Sequence, residues 1–154
     1  MDPPGHSEVI YVLGGETWVP EMGLRMLDEG QGDILVLNWV REDRPECLSG
    51  QYKGHRVICA RPLPATTQGE AMQLPVMMQE HGWTSVTVAT WRAHIPRSRT
   101  LFERCYGGDM RFRPTTQHYG RRERLAKAAY ESFSYIKVAV TPGCDDTLPF
   151  GLSD

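Results

Sequence analysis

One stretch of the chain indicates both its fold and the position of a candidate site: VTVATWRAHIPR, residues 86–97. Its first half alternates β-branched residues in the manner of a strand, which ends at Thr90. The turn that follows delivers His94 and Arg97, three residues apart, which share one face of any helix that begins there. The first N–H groups of a helix are unpaired and its dipole is positive at that end. This turn is therefore suited to hold an anionic group.

Strand-like runs alternate with helical patterns along the rest of the chain. The predicted strands comprise residues 9–13, 33–38, 56–60, 84–90 and 110–113. The predicted helices comprise residues 18–29, 71–81, 96–105 and 120–138. In the last helix we expect an inward stripe of Leu125, Ala129, Phe133 and Ile136. Residues 40–54 have no helical period and are predicted to form a loop.

This alternation predicts a Rossmann-like α/β fold of three layers. We expect a mostly parallel five-stranded sheet of order 3-2-1-4-5 with helices on both faces. The 154 residues form a single predicted domain, with a core at about residues 8–138 and an irregular tail at 139–154. In such sheets ligands bind beyond the C-terminal ends of the strands, where the strand order reverses. The loops at residues 14–16 and 90–97 are therefore expected to lie side by side.

Charge and cysteine usage narrow the classes of function. Residues 92–137 hold eleven Lys or Arg against four Asp or Glu. The whole chain, however, has a net charge of −2 and no basic run with interleaved aromatic residues. These two observations weigh against nucleic acid as a partner. The four cysteines show no spacing typical of zinc and are predicted to be reduced thiols of a cytoplasmic protein. The sequence shows neither a signal-peptide pattern nor an apolar run of membrane-spanning length.

The ends of the first two predicted strands supply four candidate ligand-binding residues. Gly14 and Gly15 follow the first strand and either let the backbone approach a ligand closely or form a plain tight turn. Glu16 is suited to a ribose hydroxyl or a metal, or else interacts with the helix dipole. Asn38 ends the second strand and is either a ligand contact or a turn-forming residue.

The remaining candidates cluster at the starts of two helices. Thr67 and Glu70 have the spacing of a capping box, or they face the ligand with Glu70 as an acceptor or general base. Thr90 is expected at the same sheet edge as a ligand contact. His94 is a candidate general acid or base, with a satisfied structural histidine as the alternative. Arg97 is suited to bind phosphate or carboxylate, with a surface ion pair as the alternative.

Three of these motifs together resemble the bacterial YdcF/SanA/ElyC family, which carries domain of unknown function 218. They are G-G after the first strand, T-x-x-E-A at the start of the central helix and T-x-x-x-H-x-P-R at residues 90–97. The resemblance covers about residues 8–137 and implies a Rossmann-like fold. It also implies a link to the cell envelope and, from one member, S-adenosylmethionine as a ligand. The site that the resemblance implies consists of Gly14, Gly15, Thr67, Glu70, Thr90, His94 and Arg97.

These observations predict a domain that binds an anionic small molecule, either phosphorylated or nucleotide-like. S-adenosylmethionine or a nucleotide is the candidate cofactor. If the protein is an enzyme, we expect phosphoester hydrolysis or group transfer with His94 and Glu70 as acid and base. The alternative is a non-catalytic regulatory or partner-binding module with a degenerate pocket, filled by Trp39 and Trp91. The sequence leaves the oligomeric state undecided.

Overall fold

A mostly parallel sheet forms the centre of the molecule. The computed structural model describes residues 5–115, 120–139 and 143–144, so the predicted tail lies outside the described residues except for positions 139, 143 and 144. The strands are β1 (Ser7–Val12), β2 (Gly32–Asn38), β3 (Gln51–Tyr52), β4 (His55–Ala60), β5 (Ser85–Thr90) and β6 (Asp109–Pro114). Their spatial order is β3-β4-β2-β1-β5-β6, and only the pairing of β3 with β4 is antiparallel.

Helices cover both faces of this sheet. They are α1 (Val19–Asp28), α2 (Pro45–Ser49), α3 (Thr67–His81), α4 (Ile95–Cys105) and α5 (Arg121–Ala139), with a single 3₁₀ turn at Arg92–His94 before α4. The side chains of β1 alternate between the two faces, as a strand requires. Val9 and Tyr11 pack into the cluster under α3 and α4, whereas Ile10 and Val12 pack into the cluster under α1. The α/β fold with helices on both faces is therefore confirmed.

The sheet has one strand more than the five predicted. The predicted strands occupy the order expected for them, and the sixth is the short edge strand β3. It lies in residues 40–54, so the prediction of a loop there is wrong: the segment contains α2 and β3. Lys53 and Gly54 both have positive φ, 48° and 85°, and they close a tight hairpin between β3 and β4. Two paired residues are too few to produce an alternating pattern in the sequence.

The cysteines form two disulfide bonds, so the prediction of four reduced thiols is wrong. Cys47 of α2 pairs with Cys59 of β4, and Cys105 at the end of α4 pairs with Cys144. The sequence separations of 12 and 39 give no sign of this pairing. It depends on the fold, which brings the Cα atoms to 5.6 and 5.1 Å, within the range that a disulfide spans.

The inward stripe predicted for α5 is also wrong. Leu125, Phe133 and Ile136 are exposed, as is Ala129, and Phe133 retains 79% of its accessible surface. The described side chains that α5 turns towards the body are instead Lys127, Glu131, Ser134 and Val138. The predicted apolar side chains of α5 do share one face, but the opposite face packs against the body. There Glu131 pairs with Arg97 of α4, and Lys127 pairs with Glu16 of the loop after β1.

Among the residues that the structure describes, no helix combines the length and the apolarity that crossing a bilayer requires.

Removing the disulfide between Cys105 and Cys144 should destabilise the protein more than removing the disulfide between Cys47 and Cys59. Because this bond closes a loop of 39 residues, replacing both cysteines by serine should lower the free energy of unfolding by about 4 kcal/mol. The same change at Cys47 and Cys59 opens a loop of 12 residues and should cost about 3 kcal/mol. Urea denaturation without reductant measures both. Four titratable thiols in the folded wild-type protein would contradict the pairing.

Candidate functional site

A cavity of about 480 Å³ lies at the C-terminal ends of β1 and β5. One wall is the loop that follows β1, a second is the turn between β5 and α4, and a third is α5. The start of α3 contributes Thr67. This is the edge of the sheet at which parallel folds bind ligands, because the strand order reverses at β1: β2 and β4 are added on one side of it, and β5 and β6 on the other.

Seven of the nine predicted site residues line this cavity: Gly14, Gly15, Glu16, Thr67, Thr90, His94 and Arg97. The loops at residues 14–16 and 90–97 therefore meet, as predicted. Neither Asn38 nor Glu70 is among the residues that line it. The structure thus separates the candidates into a cavity group and two buried residues behind it.

Gly14 and Gly15 are each required to be glycine, but for different structural reasons. A Cβ atom at Gly14 would lie 2.3 Å from the carbonyl oxygen of Asn38, so the close approach is to the neighbouring strand and not to a ligand. The N–H of Gly14 donates to Glu70 Oε1 at 2.7 Å, which makes it an internal donor. Gly15 has a φ of 104° with open space around it, so its conformation requires glycine. Of the pair, Gly15 remains the candidate for contact with a ligand.

Asn38 has structural contacts on its side chain. Its side chain is fully buried; its Nδ2 donates to the carbonyl oxygen of Val12 at 3.1 Å, and its Oδ1 accepts from Gln73 Nε2 at 3.1 Å. These bonds tie the ends of β1 and β2 to α3. Its polar atoms are thus already paired inside the fold, and these contacts give no support to the prediction of Asn38 as a binding residue.

Thr67 and Glu70 do not form the capping box that their spacing allows. The N-cap of α3 is Thr66, whose Oγ1 accepts from the N–H of Gly69 at 3.1 Å. Thr67 is consequently released to the cavity, where its hydroxyl lies 3.2 Å from His94 Nε2. Glu70 points instead at the loop after β1.

Glu70 is a buried carboxyl group with a perturbed pKa. Burial raises its pKa to about 7, although the hydrogen bond from Gly14 and the charge of Arg97 act in the opposite direction. A small cleft of about 180 Å³ reaches this carboxyl and shares Gly14, Gly15 and Thr67 with the main cavity. A carboxyl group that titrates near neutral pH beside a cavity is a candidate acid or base.

His94 lies at the junction of the 3₁₀ turn and α4, and its ring is buried. Its Nδ1 is 2.8 Å from Glu131 Oε1, and Arg97 Nη2 approaches the same nitrogen at 3.0 Å. One ring nitrogen cannot both donate to a carboxylate and accept from a guanidinium, so we assign an Nδ1–H that donates to Glu131 in the shorter contact, and Arg97 then lies beside this nitrogen without a hydrogen bond to it. His94 Nε2 then accepts from the hydroxyl of Thr67. Burial, the largest influence, lowers the pKa of His94 and favours its neutral form.

Arg97 forms a buried ion pair across to α5, not a surface pair. Its Nε donates to Glu131 Oε2 at 2.9 Å and its Nη2 to Glu131 Oε1 at 3.2 Å. The side chains of Arg97 and Glu131 retain 11% and 7% of their accessible surface. Burial alone would raise the pKa of Glu131, but hydrogen bonds and charges from His94 and Arg97 lower it overall, so the carboxylate is ionised.

The structure adds two charged residues that the sequence analysis missed, Glu131 and Lys127. Glu131 binds His94 and Arg97, while Lys127 forms a salt bridge to Glu16 and lies 5.1 Å from the centroid of the Trp91 ring. Their spacing of four residues on α5 places both on one face. The spacing of Lys127 and Glu131 could have indicated this face from the sequence, but the apolar residues on the opposite face favoured the other orientation of α5.

The two tryptophans proposed to fill the crevice do not do so. Trp91 forms part of the cavity wall, with its ring parallel to that of His94 at 6.3 Å between centroids. Trp39 lies in the smaller cleft beside Glu70, and Arg61 is 5.4 Å from its ring centroid. The cavity therefore keeps a volume that a small molecule can occupy.

Comparison with protein-family models, with curated proteins and with solved structures gives no match. The resemblance to the YdcF/SanA/ElyC family therefore rests on the motifs in the sequence. Within the part of the chain that the structure describes, no group of three or more His, Cys, Asp or Glu side chains is arranged to hold a metal ion.

Replacing Glu70 by glutamine should change how stability depends on pH. In the folded protein Glu70 keeps its proton up to about pH 7, whereas in the unfolded chain it loses the proton near 4.5. The free energy of unfolding should therefore fall as pH rises between these values, and the amide removes this loss. Relative to wild type, Glu70→Gln should gain about 3 kcal/mol between pH 4.5 and 8. Denaturant titrations across this range measure the gain.

Glu42 provides the control for this experiment, because its side chain is 63% exposed in a surface pair with Arg61. Glu42→Gln should change the pH dependence by less than about 1 kcal/mol. Parallel pH profiles for wild type and Glu70→Gln would contradict the raised pKa of Glu70.

Removing the carboxylate of Glu131 should destabilise the protein strongly. Glu131→Ala leaves Arg97 buried without its partner, so we expect a loss of about 3–5 kcal/mol in the free energy of unfolding. The matched control is Glu103→Ala on α4, which removes the exposed partner of Arg99 and should cost about 0–1 kcal/mol. Urea denaturation compares the two variants, and equal midpoints would mean that the buried cluster does not hold α5 in place.

Proposed function

We propose that this chain binds a phosphorylated, nucleotide-like small molecule in the cavity at the strand ends. The observation that carries the proposal is the presence of aromatic and cationic side chains on the walls of one cavity. The aromatic residues are Trp18, Trp91 and Tyr130, and the cations are Arg97 and Lys127. Rings of this kind stack on planar bases, and cations attract phosphate oxygens. The volume lies within the range of about 300–1,000 Å³ usual for small-molecule sites.

The two cations contribute in different ways. Arg97 is held in place by its buried ion pair with Glu131, so it supplies positive charge to the cavity while it stays bound to this carboxylate. The pair of Lys127 with Glu16 is more exposed, at 23% and 30% of the side-chain surfaces. A partly solvated lysine exchanges partners at a lower cost in desolvation. Lys127 is therefore our candidate for direct contact with a phosphate group.

Phosphoester hydrolysis or group transfer is the reaction class we propose if the protein is an enzyme. His94 is the candidate acid or base that lines the cavity. Glu70 lies in the adjoining cleft, so it takes part directly only if a ligand extends past Thr67 into that cleft. The alternative is a non-catalytic regulatory or partner-binding module with a degenerate pocket; the open cavity beside Trp91 supports the ligand-binding proposal instead.

We also propose that the chain is a bacterial member of the YdcF/SanA/ElyC family, on the strength of its three motifs. The predicted cytoplasmic location stays a proposal of the same kind. The two disulfide bonds weigh against that location, because structural disulfides persist mainly in oxidising compartments.

Binding of AMP tests the proposal and the role of Lys127 together. Lys127→Gln should weaken AMP binding about 10- to 100-fold, because one charge-assisted hydrogen bond to phosphate is lost. Binding of adenosine should change little. Isothermal titration calorimetry measures both, and S-adenosylmethionine is titrated in parallel because it carries the base without a phosphate.

Lys53 is a matched control within the same chain. It also pairs with a carboxylate, that of Asp28, and it also lies 5.1 Å from an aromatic centroid, that of Tyr52. Lys53→Gln should leave AMP affinity unchanged. If the folded wild-type protein binds neither AMP, a sugar phosphate nor S-adenosylmethionine, the proposed function is wrong.

A further inference from the structure

We infer that Thr67 is the nucleophile of a phosphoester-cleaving site in which His94 is the general base and Glu131 positions His94. The inference rests on the proposed binding of a phosphorylated ligand in the same cavity. It goes further by assigning the covalent step to a threonine, whose expected role was only that of a ligand contact.

The geometry is a continuous chain of hydroxyl, imidazole and carboxylate. Thr67 Oγ1 lies 3.2 Å from His94 Nε2, and His94 Nδ1 lies 2.8 Å from Glu131 Oε1. An alcohol paired with a base that is oriented by a third group is the arrangement that activates hydroxyl nucleophiles. All three residues line the cavity.

The hydrogen bonds identify which proton His94 is placed to remove. With the Nδ1–H assigned to Glu131, Nε2 is the basic nitrogen, and the hydroxyl of Thr67 lies within hydrogen-bond distance of it. A water molecule reaches Nε2 only by displacing that hydroxyl. Thr67 is therefore the first group from which His94 takes a proton.

The position of Thr67 in α3 favours the negative charge that develops on its oxygen. Thr67 is the first residue of this fifteen-residue helix, and the positive end of the helix dipole lies there. Capping is performed by the neighbouring Thr66, so the hydroxyl of Thr67 is not needed to satisfy the helix. The two adjacent threonines thus have separate roles.

The reaction balances without a further reagent except water. Thr67 Oγ1 forms a bond to phosphorus, the bond from phosphorus to the ester oxygen breaks, and the hydroxyl proton passes to His94 Nε2 and then to the leaving alcohol. Water next attacks the phosphothreonine and gives a proton to His94, which returns it to Thr67 as inorganic phosphate departs. Glu131 stabilises the imidazolium that forms in each step, whereas Arg97, which lines the cavity, supplies positive charge to the phosphoryl oxygens.

Hydrolysis of p-nitrophenyl phosphate by the full chain tests this assignment. Thr67→Val keeps the shape but removes the hydroxyl, and it should lower kcat by about 100-fold or more while changing AMP affinity by much less. Thr67→Ser keeps a nucleophile and should retain kcat within about 10-fold. Thr66→Ala, the control, loses the helix cap but should keep its kcat. Acid quenching of the wild-type reaction should trap a phosphoryl group on the peptide that contains Thr67.

The role of Glu131 requires a readout that a purely structural role would not change. Because Glu131 raises the pKa of His94, Glu131→Gln should move the acidic limb of the kcat profile to lower pH as well as reduce kcat.

The outcomes separate this inference from the proposed function. If AMP binds but Thr67→Val hydrolyses the probe as fast as wild type, water is the nucleophile and the inference is wrong, while the binding function stands. AMP binding without any hydrolysis by the wild-type protein also overturns the inference alone. If AMP, sugar phosphate and S-adenosylmethionine all fail to bind and the probe is not cleaved, both proposals fail.

Discussion

The buried carboxylate of Glu131 is the constraint on which the candidate site depends. A charge removed from water must be paired and hydrogen-bonded, and Glu131 obtains three contacts, from His94 Nδ1 and from two nitrogens of Arg97. These contacts fix α5 against the start of α4. Because the described part of α5 buries few apolar side chains against the body, this cluster and the salt bridge between Lys127 and Glu16 hold the helix in place. One wall of the cavity is therefore held by electrostatics and not by a hydrophobic seam.

This arrangement also determines the electrostatic character of the cavity. Arg97 and Lys127 are balanced by Glu131 and Glu16, so the walls are close to neutral overall although they are rich in charges. Fixed charges and dipoles of this kind are prepared before the ligand arrives and need little reorganisation during a reaction. A phosphorylated ligand would consequently gain more binding free energy by replacing Glu16 as the partner of Lys127 than from any net positive charge of the cavity.

How much the sequence could predict depends on whether a feature was encoded locally. Parallel strands were predictable where the sequence is a continuous apolar run, as in β1 and β2, or is rich in β-branched residues, as in β5, and their order followed from the chirality of crossovers. The meeting of Gly15 with His94 followed from that topology. The role of Glu131 could not be inferred, because it depends on a contact between helices 34 residues apart in the chain and the apolar period of α5 indicated the opposite face. The disulfides are non-local in the same sense. Asn38 and Gly14 show why residue type alone is a weak signal, because packing between strands can require the same residue types as ligand binding.

The environments of Glu70 and His94 move their pKa values in opposite directions. Burial raises the pKa of Glu70 to about 7 and lowers that of His94, so both groups are uncharged over a range of mildly acidic pH. Within that range His94 is a competent base towards Thr67, and Glu70 is a competent proton donor in the adjoining cleft. Pairs of groups separated in this way are how one site supplies an acid and a base at the same pH. Thr67, which lines both the cavity and the cleft, is the point at which the two groups would act on one ligand.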